Sequence, residues 1–133
     1  FSLGPLVDYL KHGSSLVIGS RYLGDSSLQR PFFKTLKSKL YNFLLRSFFG
    51  HEISDYQCGF KGMIKDDLSD LLLSVEDSVY FFDTELIIKA IRAGLSVREL
   101  PVSWREPEGR VSKVTLSDEI VMIFRLVSFL LSN

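Results

Sequence analysis

The residues with the most chemical potential lie in four groups. Ile18-Gly19-Ser20-Arg21 ends a short apolar run and places a guanidinium just beyond it. If that run is a strand, Arg21 stands at its C-terminal end, where open α/β sheets bind ligands; a surface arginine capping a loop is the alternative. Arg30, Lys34, Ser38 and Asn42 recur every fourth residue and so share one stripe of a helix, with Lys37 and Arg46 flanking it. Such a stripe can hold a phosphate. Asp55-Tyr56-Gln57-Cys58-Gly59-Phe60-Lys61 gathers a carboxylate, an amide, a thiol, a glycine, an aromatic and an amine into one short segment. Asp83 and Glu85 open a further helix, where carboxylates suit the dipole and could equally serve a site. Cys58 has no second thiol or well-spaced histidine and reads as a small buried hydrophobe, while His12 and His51 read as surface or loop residues.

The elements that must position these groups follow from pattern. Pro5 to Lys11 reads as the end of a helix, and Ser15 to Gly19 as a buried strand. Ser20 to Pro31 has no periodicity and reads as a loop. From Phe32 to Phe49, Phe32, Phe33, Leu36, Leu40, Phe43, Leu44 and Phe48 recur at helical spacing, with Pro31 ahead of the first turn and Gly50 as a stop. This helix could lie with its apolar side on a bilayer, or be an amphipathic core helix with a solvated basic face. Tyr56 to Met63 looks extended, Lys65 to Ser74 helical, Asp83 to Ala93 helical with Gly94 as its stop, and Ser96 to Trp104 strand-like. Arg105 to Ser112 reads as a loop and Thr115 to Leu131 as a final helix. Alternating helices and strands predict an α/β class.

Composition narrows the possibilities. The chain has 133 residues, with 16 basic and 16 acidic side chains, which suits one domain and argues against a general nucleic-acid binder. A single cysteine excludes an intrachain disulfide and any multi-cysteine zinc site. The neutrality is uneven: residues 1–61 hold eight basic and four acidic side chains, residues 62–133 eight and twelve. Five of the 11 phenylalanines lie between Phe32 and Phe49, so the basic half is also the one rich in Phe and suited to meet anionic and apolar matter together. The final helix is apolar from Ile120 to Leu131 apart from Arg125 and Ser128, too short to cross a hydrocarbon core of about 30 Å. It could lie in the membrane interface, precede membrane segments, or pack into the core.

Taken in order, Val17-Ile18-Gly19-Ser20-Arg21, Asp55-x-Gln57-Cys58-Gly59-Phe60-Lys61, Phe82-Asp83-x-Glu85-Leu86, Leu100-Pro101-Val102-x-Trp104 and Ser112-Lys113-Val114 resemble the C-terminal half of family 2 glycosyltransferases. The likeness covers nearly the whole chain and is strongest to the enzymes that use polyprenyl or dolichyl phosphate, with Gln57-Cys58-Gly59-Phe60-Lys61 pointing to the glucosyltransferase-like branch.

The resemblance implies the C-terminal part of a GT-A (Rossmann-like) fold, a mixed sheet flanked by helices. It implies an inverting transfer of a hexose from a nucleotide-diphosphate sugar to a polyprenyl phosphate. A family 2 transferase with a hydroxyl acceptor, or a non-catalytic membrane-surface module of the same fold, are the alternatives. By position, Arg21, Lys34 and Ser38 match residues that engage the acceptor phosphate, and Arg30 could assist. Lys113 matches a lysine near the donor phosphates, Gln57 falls in the donor or sugar region, and Asp83 and Glu85 match an acidic pair beneath the sugar. A divalent metal, Mg or Mn, is implied for the full enzyme, but no Asp-x-Asp occurs in this chain and Asp66-Asp67 sits at a helix start, so its ligands are expected outside it. The usual Gly-Ser-Lys-Val appears as Val111-Ser112-Lys113-Val114, with the glycine at Gly109. The partners implied are the nucleotide sugar, the polyprenyl phosphate and a membrane surface; the setting is a membrane-associated protein at the cytoplasmic face.

Residues 1–133 are thus expected to form the acceptor-side half of a catalytic domain whose nucleotide-binding half is absent. Alone they should transfer no sugar, and metal-dependent turnover of a nucleotide sugar by these residues would refute that.

Overall fold

The computed structural model describes residues 3–76, 79, 81–107 and 115–131. Its centre is β1 (Leu16–Ser20), all five residues of which are buried. β1 pairs antiparallel with β3 (Lys61–Met63) on one side and parallel with β4 (Val97–Pro101) on the other. A strand covered on both faces needs apolar residues at every position rather than alternate ones, and Leu16-Val17-Ile18 supplies them. Leu16 and Ile18 face the larger core, with Leu45, Leu86, Ile88 and Phe129; Val17 faces a smaller one with Leu6 and Leu100. Helix α1 (Leu3–Lys11) packs over the smaller core. α2 (Phe32–Phe49), α3 (Lys65–Ser74), α4 (Phe82–Arg92) and α5 (Leu116–Leu131) contribute to the larger one. The result is an α/β arrangement with a mixed sheet flanked by helices.

Three expectations about strands change. The Ser20–Pro31 stretch read as a loop contains β2 (Ser27–Gln29), and the single strand expected over Ser96–Trp104 is two, β4 and β5 (Ser103–Arg105). β2 and β5 pair in parallel as a separate sheet, Gln29 opposite Arg105. Val102 is the joint: its N–H donates to Ser20 O at 3.0 Å, and the chain then passes from one sheet to the next. A three-residue strand such as β2 has too few residues for periodicity to show, and its partner lies more than seventy positions away, so only tertiary pairing reveals it. The extended stretch expected over Tyr56–Met63 likewise shrinks to β3, because Tyr56 and Gln57 form a turn.

Helix α2 keeps its expected limits. Gly50 ends it in the left-handed region (φ 67°), its N–H donating to Arg46 O at 2.9 Å. Only Asn42 and Leu45 are buried along it. Phe32 and Phe33 are 72% and 76% exposed, and Leu36, Leu40, Phe43, Leu44 and Phe48 also face outward. α2 is therefore not the core helix that one reading expected: most of its apolar side points away from the core. α5 lies beside it, joined by Lys37 Nζ–Glu119 Oε1 (2.9 Å) and by the Phe49 and Phe129 rings, 6.0 Å apart. α5 buries Met122, Leu126 and Phe129 but exposes Ile120, Val121, Ile123, Phe124, Val127 and Leu131. Among the described residues, no helix is long and apolar enough to cross a membrane.

Gly19 has no room for a side chain. A methyl there would lie 2.9 Å from Val102 Cγ1, 3.0 Å from Cys58 Sγ and 3.2 Å from Phe60 Cδ1. Gly19→Ala should therefore cost about 1–3 kcal/mol by overpacking, read as a lower melting temperature.

Candidate active site

The end of β1 delivers Arg21 to Asp55. The Arg21 Nε–H and backbone N–H donate to Asp55 Oδ2 at 2.6 and 3.1 Å, and Nη2–H donates to Oδ1 at 2.9 Å. Asp55 is fully buried. Burial works against the guanidinium charge, but the hydrogen bonds and negative charge of Asp55 outweigh it and push the Arg21 pKa up. Arg21 stays cationic.

The turn that carries Asp55 is clamped from two sides. Ser54 N–H donates to both Glu99 carboxylate oxygens at 2.9 Å, and Asp55 N–H to Glu99 Oε1 at 3.0 Å. Tyr56 N–H donates to Asn42 Oδ1 at 3.0 Å. Asn42 was expected on the anion-binding stripe of α2; instead it is buried and ties α2 to this turn, since its position on the helix faces Tyr56 and not solvent. The Tyr22 ring adds a second tie, with Arg21 Cζ 5.5 Å and Lys39 Nζ of α2 5.9 Å from its centroid.

The rest of the stripe does come together. Arg30, expected on the helical stripe, instead lies just ahead of α2, before Pro31; its Nη1–H donates back to Ser38 Oγ at 3.3 Å, and Lys34 lies on α2 one turn before Ser38. The structure adds a residue that the sequence reading missed. Glu106 takes a 2.7 Å bond from Lys34 Nζ, with its other oxygen 3.9 Å from Arg30 Nε. It is brought there by the small sheet, for the Glu106 N–H donates to Gln29 O at 2.8 Å and so continues the β2–β5 pairing. No local pattern marks it; only the pairing of two three-residue strands does.

The two carboxylates of α4 part ways. Asp83 pairs with Lys61 of β3. Glu85 is 3% exposed, accepts from Lys89 Nζ at 2.7 Å and from the Glu76 N–H at 3.0 Å, and so fastens α4 to the chain leaving α3. The structure does not bring them together as a pair: two positions apart on a helix, their side chains diverge by about 200°. Gln57 is half-buried, its N–H on Asp55 Oδ1 at 3.3 Å, and Lys113 lies outside the described residues. Cys58 is buried and burial raises its thiol pKa, as befits an inert core residue. Burial, with help from Arg92, pushes the His51 pKa down.

Among the described residues, no three His, Cys, Asp or Glu side chains gather into a cluster that could hold a metal ion. Asp83 and Glu85 are each engaged by a lysine, so the described residues do not fit a metal centre and no step is derived through one.

β1 thus ends in an arginine bound to a buried aspartate, beside a helix with an outward apolar face and a cluster of Arg30, Lys34 and Ser38 at its N-terminal end. Comparison with known proteins gives the chain its relatives. No family model matches the chain. It is 38% identical over 120 residues to glycosyltransferase AglD of Haloferax volcanii, covering 90% of this chain and 19% of that protein. It is 32% identical over 129 residues to the polyprenol monophosphomannose synthase of Mycolicibacterium smegmatis, covering 96% of this chain and 49% of the enzyme. It is 31% identical over 113 residues to the dolichyl-phosphate beta-glucosyltransferase ALG5A of Trichomonas vaginalis, covering 85% and 34%. The chain is thus homologous, over nearly its full length, to a part of the polyprenyl-phosphate glycosyltransferases, and spans half or less of each of these relatives.

The Arg21–Asp55 pair yields a stability test. Asp55→Ala strands a largely buried guanidinium and should cost the intact protein about 3–5 kcal/mol in denaturant unfolding. The double variant with Arg21→Ala should recover part of that loss; additive losses would show that the pair is not coupled.

Proposed function

We propose that this chain is the acceptor-side, C-terminal half of the catalytic domain of an inverting family 2 glycosyltransferase of GT-A fold. The parent enzyme moves a hexose from a nucleotide-diphosphate sugar to a polyprenyl phosphate at the cytoplasmic face of a membrane. The observation that carries this reading is the double character of α2. Arg30, just ahead of α2, and Lys34 and Ser38 on it form a polar cradle at a helix whose Phe32, Phe33, Leu36 and Leu40 face outward. That combination suits a ligand with an anionic head and a long apolar tail. The similarity to enzymes named for polyprenol and dolichyl phosphate supports the same choice.

The chemistry asks little of the protein in acid–base terms. A phosphate monoester has a second pKa of about 6, so near neutral pH its oxygen is already an anionic nucleophile. That oxygen bonds to the anomeric carbon as the bond to the departing nucleoside diphosphate breaks, and no proton need be removed. What the reaction does need is cations that bring two anions together. Arg21, held in place by Asp55, and the Arg30–Lys34–Ser38 cradle serve the acceptor phosphate. On this reading Asp83, half-buried beside Lys61, faces the sugar side together with Gln57, and Lys113 serves the donor phosphates. The divalent metal, Mg or Mn, belongs to the donor half and is held by ligands outside this chain, where it would neutralise the donor diphosphate. The exposed apolar residues of α2 and α5 rest in the membrane interface, burying each large side chain for about 1.5–3 kcal/mol.

In the intact protein Lys34→Ala should lower kcat/KM for a polyprenyl phosphate by roughly a hundredfold, the scale of a lost charge-assisted contact of about 3 kcal/mol, while leaving the KM for the nucleotide sugar unchanged. Phe33→Asp with Phe124→Asp should release the protein from anionic liposomes in flotation. Full activity of the lysine variant, or undiminished flotation of the aspartate variant, would count against the corresponding half of the proposal.

A further inference from the structure

The cradle proposed to take the acceptor phosphate already holds an anion. Glu106 bonds Lys34 Nζ at 2.7 Å and stands 3.9 Å from Arg30 Nε, and the three side chains are 13%, 30% and 15% exposed. A carboxylate offers these cations the same kind of oxygen ligands as a phosphate would. Its main chain is fastened by the Glu106 N–H to Gln29 O, so the carboxylate is tethered within reach whether or not it is bonded. Two largely buried cations with no anion between them would be costly, and Glu106 removes that cost in the resting state.

We infer that Glu106 is a tethered exchange anion: it yields the cradle to the acceptor phosphate and reclaims it from the glycosylated product. This rests on the acceptor reading of Arg30, Lys34 and Ser38. The reason lies in charge. The acceptor is a monoester and enters as a dianion, with one charge more than the carboxylate it displaces. Transfer of the sugar turns that phosphate into a diester with a single negative charge. The product therefore holds the cations no better in charge than Glu106 does, while Glu106 competes from an effective concentration in the millimolar range that the tether provides. Exchange in favours the dianion, and exchange out favours the carboxylate. Because the competitor is the same in both directions, it weakens substrate and product by the same factor and leaves the product on the unbound side.

The test measures binding of geranyl phosphate, a monoester, and geranyl methyl phosphate, a diester, to the intact protein at pH about 8. The wild type is compared with Glu106→Gln and Glu106→Ala, both of which keep the Glu106 N–H bond to Gln29. The wild type should bind the monoester better than the diester. Each variant should bind both ligands about tenfold tighter, with their ratio unchanged. In turnover with a polyprenyl phosphate, both KM for the acceptor and kcat should fall together as product release slows. Unchanged or weaker binding in both variants would overturn the inference, since it would make Glu106 a residue that merely positions Lys34. A shift confined to one ligand would overturn it as well. If neither ligand binds the wild type or the variants, the functional reading falls and takes this one with it; if both bind with equal affinity in all three, only the exchange falls.

Discussion

Asp55 imposes the constraint on which the rest of the site depends. A carboxylate without solvent contact is tolerable only when its charge and lone pairs are fully engaged, and here Arg21 and the Gln57 N–H engage them. That requirement fixes where β1 must end, because Arg21 has to follow the strand directly. It also fixes the turn over Ser54–Gln57, whose amides would be stranded without Glu99 and Asn42. Glu99 comes from β4 and Asn42 from α2, so sheet and helix are registered to each other through one short turn. The guanidinium that results is held in one orientation by Asp55.

Helix α2 then has two duties that its sequence must satisfy at once. One edge supplies Asn42 and Leu45 to the interior, and the remaining apolar residues face outward beside the exposed residues of α5. In water an apolar surface on two adjacent helices is a liability, and large exposed patches of this kind mark interaction surfaces. Lys34 and Ser38 lie on the same helix and Arg30 just ahead of it, so the surface and the charge are positioned together.

The acidic residues divide by what holds them. Asp55, Glu85 and the partly buried Glu99 each bind backbone amides or a basic side chain and tie two segments together. Glu106 is of another kind. It faces cations that a ligand could also occupy, and its place depends on a two-stranded sheet of six residues that covers no large core. Short peripheral sheets of this sort contribute little to stability, and this one holds a carboxylate beside Arg30 and Lys34.

Local pattern alone made α2, α3 and α4 legible almost to the residue, because their stop signals, periodicity and acidic first turns are properties of neighbouring positions. The α/β class and the buried β1 were legible for the same reason, and so was the shared stripe of Lys34 and Ser38; Arg30 joins them from the segment ahead of α2, not by helical spacing. Tertiary structure alone decided what those cations face. Asp55 reaches Arg21 across 34 positions and Glu106 reaches Lys34 across 72, and nothing local names those partners. It also sent Asn42 inward, separated Glu85 from Asp83, and turned the apolar side of α2 away from the core. The physical reason is common to all of these. Periodicity tells which residues share a face, but which face is buried depends on the partners that chain closure brings to it.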